Sequence, residues 1–206
     1  MLDSEHAKRL QQCVEGGGVA VFPSDTVYGV CCDPGSESAA RRLYELKGRP
    51  PARPAAVMFF TLESALAALP ELPATERAVL EALLPGPLTL LVENRSLSFQ
   101  AACRTDPDTL GLRVPSLPDS LQALTEVAVP VMQSSANLSG EEDARTLDQV
   151  PPSLREGADL VLDGGELPGR ASTVIDLRGY AVDGSWHLLR EGAISRDEVA
   201  AMLTQL

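Results

Sequence analysis

Nine polar residues of this chain have the types and spacings to hold an anionic ligand. The stretch LKGRPP (Leu46 to Pro51) sets Lys47 and Arg49 two apart, where prolines forbid further helix. Such cations either complement a helix dipole ahead of a glycine stop or bind phosphate. Their expected exposed, proline-bounded position is not explained by a core role. In SSANLSG (Ser134 to Gly140), an extended backbone turns Ser135 and Asn137 to the same side, so hydroxyl and amide can reach one ligand. The competing reading is that Asn137 or Ser139 caps the following turn. Thr109 and Arg113 flank a strand four residues apart and so share a face. Arg113, among Leu110, Leu112 and Val114, needs an anionic partner or an exposed edge. Thr26 lies in PSDTVYG (Pro23 to Gly29), Ser172 opens an apolar strand, and Arg190 ends the run from Trp186. Lys47, Arg49 and Arg190 suit phosphates, whereas Thr26, Arg113 and Ser172 suit a small carboxylate-bearing molecule with polar substituents.

The elements that must position these groups alternate along the chain. Helices are expected over 4–15 (closed by Gly16 to Gly18), 38–46, 61–69 and 75–84, with a last one from Ser195, where Ser195 and Glu198 fit a capping box. Strands are expected over 19–22, 56–60, 88–93, 111–114, 127–132, 159–162 and 173–177. PSDTVYG and SSANLSG are then loops at strand ends, where open α/β sheets place their ligands. Interleaved strands and helices argue for an α/β layer fold around one sheet. No linker, repeat or low-complexity block divides it, so one domain is expected over 1–206.

Composition bounds the function. With 206 residues, 44% hydrophobic and 22% charged, the chain is of the soluble globular kind, and few aromatics leave the core to Leu, Val and Ala. A net charge of -12 speaks against a broad nucleic-acid footprint. Cys13, Cys31, Cys32 and Cys103 make no Cys-x-x-Cys, and two histidines are too few to complete a zinc site, so no metal ligands are assigned. Cys31 and Cys32 read as buried strand residues rather than a redox pair. The start MLDSEHAKRLQQ is polar and no run approaches membrane-spanning length, so a cytoplasmic, non-membrane protein is expected. Neither a Walker-type loop nor G-x-G-x-x-G is present, and G-x-S-x-G is absent too, so a nucleotide would be held without a glycine-rich cradle.

In order, PSDTVYG, LKGRP, LLPGPLTLLV, LGLRVP, SSANLSG, STVIDL and LLREG, spanning 23–192, make the chain resemble the YrdC/TsaC family, the L-threonylcarbamoyladenylate synthases. The resemblance is to the short, single-domain form without an extra C-terminal domain. It implies a YrdC-like twisted open mixed sheet flanked by helices with a central ligand cleft.

The implied reaction joins L-threonine, bicarbonate or CO2, and ATP into threonylcarbamoyl-AMP and pyrophosphate. The product serves threonylcarbamoylation of the adenosine 3′ to the anticodon, through a partner tRNA threonylcarbamoyl transferase complex, with tRNA touched only weakly or indirectly. By the same resemblance Lys47 and Arg49 are the catalytic K-x-R, and Thr109, Ser135, Asn137 and Arg190 complete the ATP set. Thr26, Arg113 and Ser172 contact threonine, with Arg113 clamping its carboxylate. Magnesium would be bound mainly through ATP phosphates. The chain departs from the family pattern at Arg53, Met58 and Asp143. Two alternatives stand beside this reading: a carbamoyl-transfer domain of hydrogenase-maturation type, and a non-catalytic double-stranded RNA-binding module.

Overall fold

The computed structural model describes residues 1–50 and 52–205. Helix α1 (Ser4–Glu15) starts where the Asp3 side chain accepts the His6 N–H, and it buries Ala7, Leu10 and Val14 along one stripe. The chain then makes a hairpin of β1 (Ala20–Pro23) and β2 (Tyr28–Cys32), in which Pro23 pairs with Tyr28. PSDTVYG is therefore a turn plus the start of a strand, not a loop alone. The Ser24 hydroxyl donates to the Val27 carbonyl across the turn.

Helix α2 (Glu37–Lys47) is capped by Ser36 and stopped by Gly48, whose φ of 57° lies in the left-handed region. Gly48 N–H donates to Glu45 O and Arg49 N–H to Tyr44 O, closing the last turn. The further part of the expected stop, Pro51, lies outside the described residues. β3 (Ala56–Met58), α3 (Leu62–Ala68), α4 (Ala74–Leu83), β4 (Leu88–Glu93), α5 (Gln100–Cys103) and β5 (Thr109–Arg113) follow. A 3-10 segment (Asp119–Glu126) leads to β6 (Val131–Ser135). The strand expected over 127–132 is displaced because Pro130 has no N–H to give a ladder, so pairing starts after it and takes in Ser134 and Ser135. The chain ends with α6 (Pro152–Gly157), β7 (Leu160–Val161), β8 (Thr173–Asp176), α7 (Tyr180–Asp183), β9 (His187–Arg190) and α8 (Arg196–Leu203).

Among the described residues one mixed sheet of nine strands runs β7-β1-β2-β6-β3-β5-β4-β8-β9. β1/β7, β3/β5 and β4/β8 are parallel and the other neighbours antiparallel. Apolar cores cover both faces. Adjacent residues go to different cores: Cys32 and Val57 to one, Cys31 and Met58 to the other. All four cysteines are free, and Cys31 and Cys32 are buried in β2. No helix among the described residues is long and apolar enough to cross a membrane.

Candidate active site

A cavity of about 350 Å³ opens on the face of the sheet, over β6, β3, β5, β4 and β8. Alternate residues of single strands form its floor: Thr109, Gly111 and Arg113 from β5, Thr89 and Leu91 from β4. This differs from the expected position at strand ends. The cavity opens over the sheet face, although Thr109 and Arg113 are the two ends of β5, Ser135 ends β6, Arg190 ends β9 and Ser172 precedes β8. Gly111 and Ala56 add no bulk over the floor. A larger, open groove of about 750 Å³ lies nearby, but its arginines, Arg95 and Arg178, are already paired to Glu76, Glu93 and Asp176.

Six of the nine expected residues line the smaller cavity: Arg49, Thr109, Arg113, Ser135, Ser172 and Arg190. Lys47, Thr26 and Asn137 stand behind it, each bonded to a lining residue. Lys47, expected at the surface, is buried at 2% exposure. It closes α2 against β6, where its Nζ donates to the Ser135 carbonyl and, at 3.1 Å, to Asn137 Oδ1. The Ser135 hydroxyl donates to the same Oδ1 at 2.6 Å, so Ser135 and Asn137 share a side as expected but bond each other, and only Ser135 lines the cavity. Asn137 also tethers its loop by donating to Glu141 O at 2.6 Å. Burial pushes Lys47 down to about 8, helped by the nearby Arg49 charge and opposed by Asp143. Arg49 and Arg190 are also held below the ordinary arginine value, chiefly by burial.

Arg113 has the anionic partner its apolar strand demanded. Asp25 Oδ1 lies 2.5 Å from its Nη2, with the two side chains 3% and 4% exposed. The same Nη2 reaches Thr26 Oγ1 at 2.6 Å and Ser24 Oγ at 3.4 Å, while Asp25 Oδ2 accepts the Ser116 N–H at 3.0 Å. One end of the guanidinium is thus spent on the β1–β2 turn. Arg113 Nε is buried without a partner, and no protein acceptor meets Nη1 among the described residues. Met58, at one of the departing positions, registers with Arg113 in the sheet and is packed into the core.

A second pattern recurs around the cavity: an arginine donates to a hydroxyl oxygen. Arg49 Nη1 reaches Ser134 Oγ at 3.0 Å, Arg178 Nη1 reaches Thr109 Oγ1 at 2.8 Å, and Arg190 Nη2 reaches Ser172 Oγ at 3.2 Å. Ser172 also lies 2.8 Å from Thr89 Oγ1. A hydroxyl that accepts from an arginine directs its one proton elsewhere, to a ligand or, between Ser172 and Thr89, to its neighbour, so such walls favour acceptor-rich ligands. Asp25, Thr89, Ser134 and Arg178 were missed in the sequence. The demand of Arg113 for an anion signalled that a carboxylate was needed, but nothing local pointed to position 25. Among the described residues no group of three acidic, histidine or cysteine side chains is placed to hold a metal ion.

A family model described as Sua5_yciO_yrdC, telomere recombination, matches residues 12–192. The chain belongs to the Sua5/YciO/YrdC family. The region matched to Sua5/YciO/YrdC contains all nine expected site residues. A Mycobacterium tuberculosis relative named putative threonylcarbamoyl-AMP synthase is 31% identical over 194 residues, covering 92% of this chain and 85% of that one. A Pyrococcus abyssi relative named threonylcarbamoyl-AMP synthase is 28% identical over 94% of this chain, which spans only 56% of that protein's length. The solved structure of P. abyssi Sua5 complexed with L-threonine superposes with a TM-score of 0.84 at 26% identity, over 98% of this chain and 58% of that one.

Proposed function

We propose that the protein is a threonylcarbamoyl-AMP synthase. The observation that carries the reading is that one cavity collects both the phosphate-suited cations and the carboxylate-suited Arg113 with Ser172. Arg49, Arg53 and Arg190 line it, with Lys47 directly behind, and none of the four forms an ion pair with an acid among the described residues. That is the setting for a polyanion such as ATP. In this reading Arg113 takes the threonine carboxylate through Nη1, and Ser172, between Arg190 and Thr89, faces the substrate beside it.

The threonine nitrogen adds to CO2 drawn from bicarbonate and loses a proton, giving N-carboxythreonine. A carboxylate oxygen of that carbamate then attacks the α-phosphorus of ATP as the bond to the pyrophosphate oxygen breaks. Pyrophosphate departs and threonylcarbamoyl-AMP remains. Lys47 and Arg49 offset the charge that builds on the phosphates, and Lys47 keeps one N–H beyond those given to Ser135 and Asn137. No side chain is asked to form a covalent intermediate, so catalysis is positioning and electrostatics. The cavity's donors fit an anion rather than a bare cation, so magnesium, where it takes part, would be carried on the ATP phosphates and supply further neutralisation. We further propose a cytoplasmic setting and delivery of the product to a transferase that acts on tRNA. The carbamoyl-transfer and RNA-binding alternatives gain no feature of their own at this site.

The test is pyrophosphate release with ATP, magnesium, bicarbonate and single amino acids, with the product identified by mass. Threonine- and bicarbonate-dependent release with threonylcarbamoyl-AMP formed is expected. Release driven by carbamoyl phosphate, or RNA binding without ATP turnover, refutes the proposal.

A further inference from the structure

Thr109 is buried on the cavity floor, and its hydroxyl oxygen accepts from Arg178 Nη1 at 2.8 Å. No acceptor for its own proton exists among the described residues, so an unspent donor faces the cavity. Arg178 itself is a fixed group. Asp176 grips it twice, through Nε at 2.9 Å and Nη2 at 2.6 Å, and also accepts its backbone N–H at 3.1 Å. This fork leaves Nη1 free to reach past β4, from the end of β8 to the start of β5. Arg178 lines the larger groove and not the cavity, so the pair acts from outside the site.

From this geometry we infer that Asp176 and Arg178 are a positioning pair that orients the Thr109 hydroxyl as a hydrogen-bond donor to the nucleotide. Arg178 occupies one of the hydroxyl's two acceptor positions, which turns the O–H away from the guanidinium and toward an acceptor on the ligand: a ring nitrogen, a ribose oxygen or a phosphate oxygen. The inference rests on the reading of the cavity as a nucleotide site, and it adds two residues that do not touch the ligand. It also requires the planar fork of arginine. A lysine would keep the charge but could not bind Asp176 at two points while reaching Thr109 with a third nitrogen.

The experiment is ATP binding by calorimetry, without threonine, for wild type, Thr109→Val, Arg178→Ala, Arg178→Lys and the double variant Thr109→Val/Arg178→Ala. Thermal melts of each variant establish that it is folded. Thr109→Val and Arg178→Ala should each weaken ATP roughly three- to tenfold, the range of one hydrogen bond. The double variant should be no weaker than Thr109→Val alone, because Arg178 acts only through that hydroxyl. Arg178→Lys should resemble Arg178→Ala. Independent, multiplying losses would overturn the inference, as would rescue by lysine, which would mean that Arg178 serves as a distant charge. A wild type that binds no ATP overturns it together with the nucleotide reading. A wild type that binds ATP but makes no adenylate overturns only the reaction.

Discussion

The cavity treats its cations in two opposite ways. At the corner formed by the β1–β2 turn and β5, Arg113 is neutralised by buried Asp25 and pinned by Thr26. Along the β6 and β9 sides, Lys47, Arg49 and Arg190 have hydroxyls, carbonyls and an amide as partners but no acid within ion-pair distance among the described residues. Burial depresses all three, which is the cost of holding charge out of water without a counter-ion. In the proposed reading an arriving polyanion relieves that cost, and these sides take the phosphates. The Asp25 corner carries little net charge and offers direction instead: one guanidinium nitrogen at a fixed angle. The difference separates a site that attracts from a site that orients.

The largest effect should come from the uncompensated sides. Arg49→Ala should lower adenylate formation roughly 30- to 1000-fold, about 2 to 4 kcal/mol of lost phosphate stabilisation, while the protein stays folded. Lys47→Ala should lose as much and also melt earlier, because the Ser135 carbonyl and Asn137 Oδ1 would lose their buried donor. Steady-state rates and melting curves check both, and normal turnover by either variant would remove that residue from the phosphate set.

Breaking the compensated corner comes next. Asp25→Asn leaves Arg113 as a buried, unpaired cation free to turn, so the KM for threonine should rise about tenfold while ATP affinity is kept. Some loss of melting temperature should accompany it, so the ratio of the two substrate effects is the readout. An equal loss for ATP and threonine would mean that Asp25 serves only the fold.

The smallest effect is a titration. Lys47 carries its charge below about 8 and loses it above, so ATP affinity should fall as pH rises through that value. Binding measured without threonine keeps the amino acid's own titration out of the curve. Lys47→Arg, charged throughout, should flatten the step, and a wild-type curve level to well above pH 8 would contradict a charged Lys47 in ATP binding.

Much of this arrangement was legible in the sequence. Thr109 and Arg113 do share a strand face, Ser135 and Asn137 do share a side though only Ser135 lines the cavity, and Arg113 did require an anion. These follow from a period of two and from the cost of an unpaired buried charge, which act over a few residues. What stayed hidden depends on distant pairing. Lys47 looked exposed because Gly48 and Pro50 describe where α2 stops, not that β6 lies across its last turn. Asp25 and Arg113 are far apart in the chain and meet although β6 and β3 lie between β2 and β5 in the sheet, through the turn that joins β1 to β2. The start of β2 is hidden because Tyr28 and Gly29 belong to PSDTVYG, whereas its end, Cys31 and Cys32, does read as strand. The sheet-face position of the cavity could not be read from apolar runs, since the strands that form its floor are buried on their other side by an ordinary core.

The contrast between the two regions is tested most directly by comparing Arg113→Ala with Arg49→Ala in pyrophosphate release, varying threonine and ATP separately. Arg113→Ala should raise the KM for threonine, serine and other accepted amino acids alike and leave the KM for ATP near wild type. Arg49→Ala should do the reverse. An Arg113→Ala enzyme with unchanged threonine dependence, or two variants impaired equally for both substrates, would contradict a cavity divided between a side that attracts phosphates and a corner that orients a carboxylate.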